Sequence, residues 1–198
     1  FIPYLVERGY PVYGYVLKGR WYDLGTPKRY LDAMIDLLRS GMIGLPIDGR
    51  LTKGAKVWIE GRSPESIKKR AEILKKIKEG SIHVEGSVLI GRHCNIGDDV
   101  WIKDSTIDNF CIIGGSTAID SSAIMDRTVI YSDADIRNSI IGRHVVIKSS
   151  EQRPTIISGV SVIGDDTQIG EGCELISTKI YPHKVIPDDR RMINEVAE

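Results

Sequence analysis

Ile90-Gly91-Arg92-His93-Cys94-Asn95-Ile96-Gly97-Asp98-Asp99-Val100-Trp101-Ile102-Lys103-Asp104-Ser105-Thr106-Ile107 is the stretch whose reading decides the fold. Its isoleucines stand six, six and five residues apart. The same steps recur in Ile107, Ile113 and Ile119, in Ile124, Ile130 and Ile136, and in Ile141 and Ile147. Ile90, Ile107, Ile124 and Ile141 therefore form one column with a period of 17, and Ile96, Ile113, Ile130 and Ile147 form another. Four residues after most of these isoleucines sits a small or β-branched residue: Cys94, Val100, Thr106, Cys111, Thr117, Ala123, Thr128, Ala134 and Val145. Ile136 breaks that rule, with Ile140 in the place. Gly follows the isoleucine at Ile90, Ile96, Ile113, Ile141, Ile163 and Ile169, and reads as a residue that relaxes the turn.

A helix has period 3.6 and cannot produce these steps, and residues 81–147 leave no room for the crossover helices of a βαβ unit. Each six-residue unit reads as a short strand and a turn. Three units close one coil, and coils stack at the inter-strand spacing of about 4.8 Å. One coil cannot bury its own apolar side, so several must stack. The expected fold is mainly β: a left-handed parallel β-helix of about six coils, with Val84 and Val88 fitting at its start and Ile157, Ile163, Ile169, Ile180 and Ile186 extending it. The repeat fails at Lys148-Ser149-Ser150-Glu151-Gln152-Arg153-Pro154-Thr155. Ile141 and Ile163 are 22 apart, which reads as a polar loop of about five extra residues at one corner. An irregular 16-residue coil from Ile147 to Ile163 is the alternative.

Composition excludes several function classes. Lys plus Arg and Asp plus Glu are both 27, so a zero net charge gives no argument for nucleic acid or an anionic membrane as partner. No run of 18 apolar residues and no signal-peptide pattern is visible, so a cytoplasmic protein is expected. The chain opens Phe1-Ile2-Pro3-Tyr4 without Met and reads as the middle of a longer sequence. Cys94 and Cys111 fall in one inward column and Cys173 in an equivalent place, which makes them core thiols. A disulfide between stacked Cys94 and Cys111 is the rival reading.

Residues 1–50 do not follow the repeat, and 51–198 are assigned to the β-helix. Pro3 to Gly9 suggests a helical turn and Val12 to Leu17 a strand rich in Tyr and Val. Thr26 is a helix N-cap with Pro27 at the first helical position. Tyr30, Leu31, Met34, Ile35 and Leu38 then share one helix face, and Gly41 ends the helix. Ser63-Pro64 repeats the start signal for an inserted helix at about 64–79, with an apolar stripe of Ile67, Ala71, Leu74 and Ile77 or Lys78 and an otherwise basic surface. Between the helices, Val57-Trp58-Ile59 reads as the strand that begins the β-helix.

Trp21-Tyr22-Asp23-Leu24-Gly25-Thr26-Pro27 resembles the Trp-x-Asp-x-Gly-Thr-Pro motif that ends the catalytic domain of sugar-1-phosphate nucleotidyltransferases. In that family a helix and then a hexapeptide β-helix often follow, and that order stands here. The tail Ile180-Tyr181-Pro182-His183-Lys184-Val185-Ile186-Pro187 looks most like mannose-1-phosphate guanylyltransferases. The resemblance implies that residues 1–50 are the α/β remnant of a catalytic domain. It implies that Asp23 is a ligand of the catalytic Mg²⁺, with Trp21, Gly25 and Thr26 shaping the turn and helix cap. A divalent ion of this kind neutralises charge gathering at the α-phosphate. The substrates implied are NTP and a sugar 1-phosphate, held largely by an N-terminal part that this sequence lacks, so the chain alone is expected to be inactive. The competing reading of Asp23 is a turn residue that holds the loop before the helix.

The rival function is a hexapeptide acyltransferase with acetyl-CoA as donor and a corner histidine as general base. His83, His93, His144 and His183 are the candidates, and His144 is favoured because the polar loop begins four residues later. A three-histidine zinc site is disfavoured because the histidines lie on different coils without a close pair. A non-catalytic role in assembly or regulation remains for the β-helix itself. Its open ends expose unpaired backbone, so a homo-oligomer is expected.

Overall fold

The computed structural model describes residues 1–41 and 55–198; the boundary drawn at residues 50 and 51 lies outside them. From Lys56 onward the chain winds into the left-handed parallel β-helix, of about seven turns against the six or so counted from the isoleucines. The three faces are parallel sheets of eight, seven and six strands. The first runs from Lys56–Ile59 to Val196–Ala197, the second from Ile82–Glu85 to Arg191–Ile193, and the third from Asn95–Ile96 to Val185–Ile186. The last turn escapes the isoleucine count because Met192 and Ala197 take the inward places.

Register follows the isoleucine columns. Ile90, Ile107, Ile124, Ile141, Ile163 and Ile180 pair in succession, as do Ile96, Ile113, Ile130, Ile147, Ile169 and Ile186. All are buried, and together they form one continuous core. Ile141 stays paired with Ile163, so the loop reading holds over the irregular coil. The insertion is divided, however. Ile136 pairs with Ile157, 21 residues on, while Ile141 pairs with Ile163, 22 on. Four extra residues leave at the Ser149–Thr155 corner, and one more enters at Gly159-Val160, both left-handed.

The corners revise two expectations. The inward small residue comes four after the isoleucine only where the step is six. Where the step is five it comes three after, so Ser105, Ser122 and Ser139 are buried and Thr106 is not. Ser105 Oγ donates to the Lys103 carbonyl at 2.6 Å and accepts from the Ser122 amide at 3.0 Å. Ser122 Oγ likewise accepts from the Ser139 amide at 3.1 Å. These hydroxyls satisfy buried amides that the tight corner would otherwise orphan. The glycines after isoleucine serve a different purpose from the one expected. None of them has positive φ. A Cβ at Gly114 would lie 2.3 Å from the Ser132 amide nitrogen, so the glycine lets adjacent corners approach closely. The left-handed positions fall on other residues, among them His93, Phe110, Arg127, His144, Asp166 and His183 in one corner column. From Phe110 onward their amides donate across coils, as Phe110 does to the Arg92 carbonyl at 2.9 Å, and this offsets the cost of positive φ.

Cys94, Cys111 and Cys173 are free and buried, as core thiols. The Cys94 and Cys111 thiols donate to the Asp108 and Met125 carbonyls at 3.0 and 3.1 Å. The neighbouring Cys94 thiol and burial push Cys111 far above the ordinary thiol range, and burial raises Cys173.

The described residues form three helices, α1 (Ile2–Glu7), α2 (Pro27–Ser40) and α3 (Pro64–Glu79), of which α2 and α3 pack on the solenoid. Residues 12–17 form no strand, contrary to expectation; Tyr13 and Tyr15 are exposed, and no sheet edge among the described residues pairs with them. β-propensity alone does not hold an unpaired strand. In α3 the inward stripe is also rotated from the expected one. Ser66 and Ile73 are buried, Leu74 and Ile77 partly so, while Ile67 and Ala71 face out. Ser66 turns inward because its hydroxyl accepts from the Arg62 and Ser63 amides at 2.9 Å, completing a Ser63 capping box. Helix α3 stands where the third face would have had an earlier strand. There Lys76 Nζ donates to the edge carbonyl of Ile96 at 2.8 Å.

Helix α2 lies on the first face and is latched by Arg39. Its guanidinium donates to both oxygens of Asp104, at 3.3 and 2.7 Å, and the Ser87 amide donates to Asp104 at 3.1 Å. Burial alone would raise the Asp104 carboxyl, but the Arg39 and Ser87 hydrogen bonds outweigh it and hold the group below its usual range.

Gly114→Ala forces the corner over Ser132 to open, and a cost of about 1–3 kcal/mol in urea unfolding is expected. Unchanged stability would show that the corner relaxes freely. For Asp104, the depressed folded pKa means that the unfolded state binds the extra proton. Its contribution is present above the ordinary carboxylate pKa of about 4 and is lost as pH falls through the lower folded value. Asp104→Asn, which suits the left-handed backbone there, is expected to lower stability by about 1 kcal/mol at neutral pH and to flatten the acid limb of the profile. An unaltered acid limb would remove the latch from the account.

Candidate functional site

The motif turn begins where the chain enters α2. Thr26 is extended and its hydroxyl accepts from the Arg29 amide at 3.3 Å, so it is the N-cap. Asp23, three residues earlier, accepts from the Gly25 amide at 3.0 Å. Gly25 is close against that carboxylate, since a Cβ there would lie 3.1 Å from Asp23 Oδ1. Asp23 Oδ2 also pairs with the Arg29 guanidinium, one turn into α2. The Asp23 side chain is 50% exposed, so its oxygens face solvent as well as the turn. Trp21 is exposed.

Sequence reading missed the polar partners of this turn. Arg20 donates to Asp36 at 2.5 Å, and the Tyr22 hydroxyl donates to the same carboxylate. Both hold Asp36 below the usual carboxylate range. Arg20, Tyr22 and Asp36 thus fasten the motif segment to the middle of α2. The spacing of 16 between Arg20 and Asp36 gave no signal, because the turn that joins them has no fixed period. An apolar groove of about 330 Å³ follows, lined by Tyr22, Leu24, Tyr30, Met34, Leu37 and Leu89. The turn, α2 and the β-helix are therefore contiguous.

The histidines occupy exposed or half-exposed surface. His83 stacks on Trp101 with centroids 4.8 Å apart, and His93 stacks on Phe110 at 5.0 Å. His144 lies 3.4 Å from one Asp166 oxygen and His183 3.7 Å from the other. Stacking thus brings His144 and His183 to one carboxylate, a pairing that their separation in sequence concealed. No three His, Cys, Asp or Glu side chains among the described residues gather as a metal site. No described helix is long and apolar enough to cross a membrane.

The GMPPB C-terminal domain family matches residues 79–195. A glucose-1-phosphate adenylyltransferase of Desulfitobacterium hafniense (strain DSM 10664 / DCB-2) is 25% identical over 180 residues, covering 86% of this chain and 40% of that protein. Probable mannose-1-phosphate guanylyltransferase 3 of Oryza sativa subsp. japonica is 26% identical over 88% of this chain and 40% of its own length. The mannose-1-phosphate guanyltransferase of Pichia angusta is 27% identical over 94% of this chain and 43% of its own. The chain spans about two-fifths of the length of these relatives. Among solved structures, the acetyltransferase domain of PglB from Neisseria gonorrhoeae FA1090 with acetyl coenzyme A overlaps 64% of this chain and 63% of that one. The overlap has 11% identity and a TM-score of 0.37, too low to argue from. With its β-helix matched over most of its length, the chain belongs to the GMPPB C-terminal domain family, the C-terminal portion of sugar-1-phosphate nucleotidyltransferases.

Proposed function

We propose that this chain is the C-terminal part of an enzyme that joins an NTP and a sugar 1-phosphate into an NDP-sugar, of the GDP-mannose type, with release of pyrophosphate. The family match, joined to the order of motif turn, α2 and β-helix, carries this reading. In it the β-helix is an assembly and regulatory module, the catalytic pockets lie in the length of the relatives that this chain does not span, and the setting is cytoplasmic.

Mg²⁺ takes about six oxygen ligands in near-octahedral array. Asp23 is one exposed carboxylate already engaged by Gly25 and Arg29. The described residues therefore do not fit the ion by themselves. Within the proposal Asp23 would supply one of the ligands, with the others in the length of the relatives that this chain does not span. The test is pyrophosphate release by the longer protein across four NTPs and several sugar 1-phosphates. Asp23→Ala is expected to lower the rate at least about 100-fold while the β-helix stays folded, and the 198-residue chain alone to give none. An unaffected mutant would leave Asp23 as a turn residue only, and turnover by the chain alone would overturn the division of labour.

One observation favours the acyl-transfer reading as a second. Asp166 lies at His144 Nδ1, an arrangement that leaves Nε2 directed away as a base. Acetyl transfer from acetyl-CoA that depends on His144 would select it.

Assembly through the β-helix is part of the first reading. Val185 and Val196 are 70% and 54% exposed at its last turn, beside strands with one unpaired edge. Light scattering is expected to give more than one copy per particle, and a monomeric mass would remove assembly from the module's role.

A further inference from the structure

The second face of the β-helix carries a slot that neither the motif turn nor the histidine column uses. Trp101 points outward from its strand and is 51% exposed. His83, its in-register neighbour on the preceding coil, stacks at 4.8 Å and 28° and holds the indole in place. On the following coil the in-register neighbour is Ala118, and on the next Asp135. Alanine leaves the outward column empty for one coil. Trp101 and Asp135 stand two strand spacings apart, about 9–10 Å, with a methyl group as the floor between them.

The second outward column walls this slot with charge. Glu85, Lys103, Asp120 and Arg137 succeed one another in register with alternating sign. Lys103 lies 3.8 Å from Asp120, and Arg137 Nε and Nη2 each donate to Asp135 at 2.7 Å. The resulting groove, about 380 Å³, is lined by Glu85, Trp101, Lys103, Ala118, Asp120 and Arg137. Ion pairing lowers the Arg137 charge available to a ligand, and with Asp135 just beyond the lining three carboxylates stand against two cations.

We propose that this slot binds a neutral hexose ring. A pyranose has an apolar C–H face, which stacks on an indole, and a rim of hydroxyls that both donate and accept. One ring over Ala118 puts that face on Trp101 and its rim among the Lys103–Asp120 and Asp135–Arg137 pairs, whose free donors and acceptors alternate as hydroxyls require. The acidic balance disfavours phosphate or carboxylate ligands, which lack an unpaired cation here. A few well-placed polar groups beside one rigid aromatic wall is the ordinary make-up of a small-ligand site. This inference rests on the β-helix face alone and holds whether or not Asp23 serves nucleotidyl transfer.

The 198-residue chain has three tryptophans, so three indole N–H signals report separately in a ¹⁵N-labelled sample. The probes are methyl α-D-mannopyranoside, methyl α-D-glucopyranoside and mannotriose, with mannose 1-phosphate as the anionic comparator. A neutral sugar is expected to shift the Trp101 signal saturably and leave Trp21 and Trp58 in place. Ala118→Leu fills the slot from the surface while Trp101 remains to report, and is expected to weaken binding at least about tenfold. Arg137→Ala tests the rim and is expected to weaken it as well. No saturable shift with any neutral sugar, tighter binding of mannose 1-phosphate than of the methyl glycosides, or an Ala118→Leu titration matching the unmodified chain would each overturn the proposal.

Discussion

The coils of this protein are held in register by one repeated contact, the inward isoleucine packed on the isoleucine one coil away. Hydrogen bonds along the coil axis do not choose a register by themselves, since a parallel ladder slipped by two residues makes as many. A slip of one residue would turn charged outward residues such as Lys103 and Asp120 into the interior, where an unpaired charge is costly, and a slip of two would pull each isoleucine off its counterpart. The columns therefore set which backbone groups meet. The corners adapt to them: glycine where coils crowd, a left-handed residue where the chain turns, a buried serine where a five-residue step leaves an amide unserved.

Such a stack has two ends, and its first end is treated differently from its last. Helix α3 covers the start of the third face with Ile73 in the core and the Lys76 ammonium on an edge carbonyl. Helix α2 covers the first face nearby, held by Arg39 on Asp104, a buried carboxylate that also takes the Ser87 amide. The motif turn is tied to α2 in turn by Asp23 with Arg29 and by Arg20 and Tyr22 with Asp36. Polar links at both ends of α2 thus tie Asp23 to the β-helix core through the helix. Any domain placed against that turn is oriented relative to the solenoid by the same links.

What was legible in the sequence was what repeats. The isoleucine columns, the start of the helix at Thr26 and the glycine ends at Gly41 and Gly80 depend on local chemistry and were read correctly. Features that depend on a partner were not. Val12 to Leu17 has strand-like residues but no neighbour to pair with. The inward face of α3 was misjudged because Ser66 turns in to cap the helix, a polar residue on the side that an apolar stripe was expected to fill. The serine ladder was visible as Ser105, Ser122 and Ser139 at a spacing of 17, but a fixed offset of four from isoleucine hid it. At the site, the Thr26 cap was readable, whereas Asp166 between His144 and His183 required knowing that a loop of extra residues leaves the corner columns aligned.

A solenoid separates its duties by side-chain parity. Inward positions are bound to the isoleucine columns and tolerate little. Outward positions on the same strands carry no packing duty except where a helix covers them, so a departure from the simplest outward residue calls for a cause. Lys103, Asp120, Asp135 and Arg137 find theirs in pairing with one another. Trp101 does not: half its surface stays in water, and the coil beside it presents alanine where a second aromatic would have covered the ring. An indole braced on one side by His83 and left open on the other is shaped by its neighbours as a wall. The groove over Ala118 is therefore a property of three successive coils, set by residues 17 and 18 apart, rather than of any local motif.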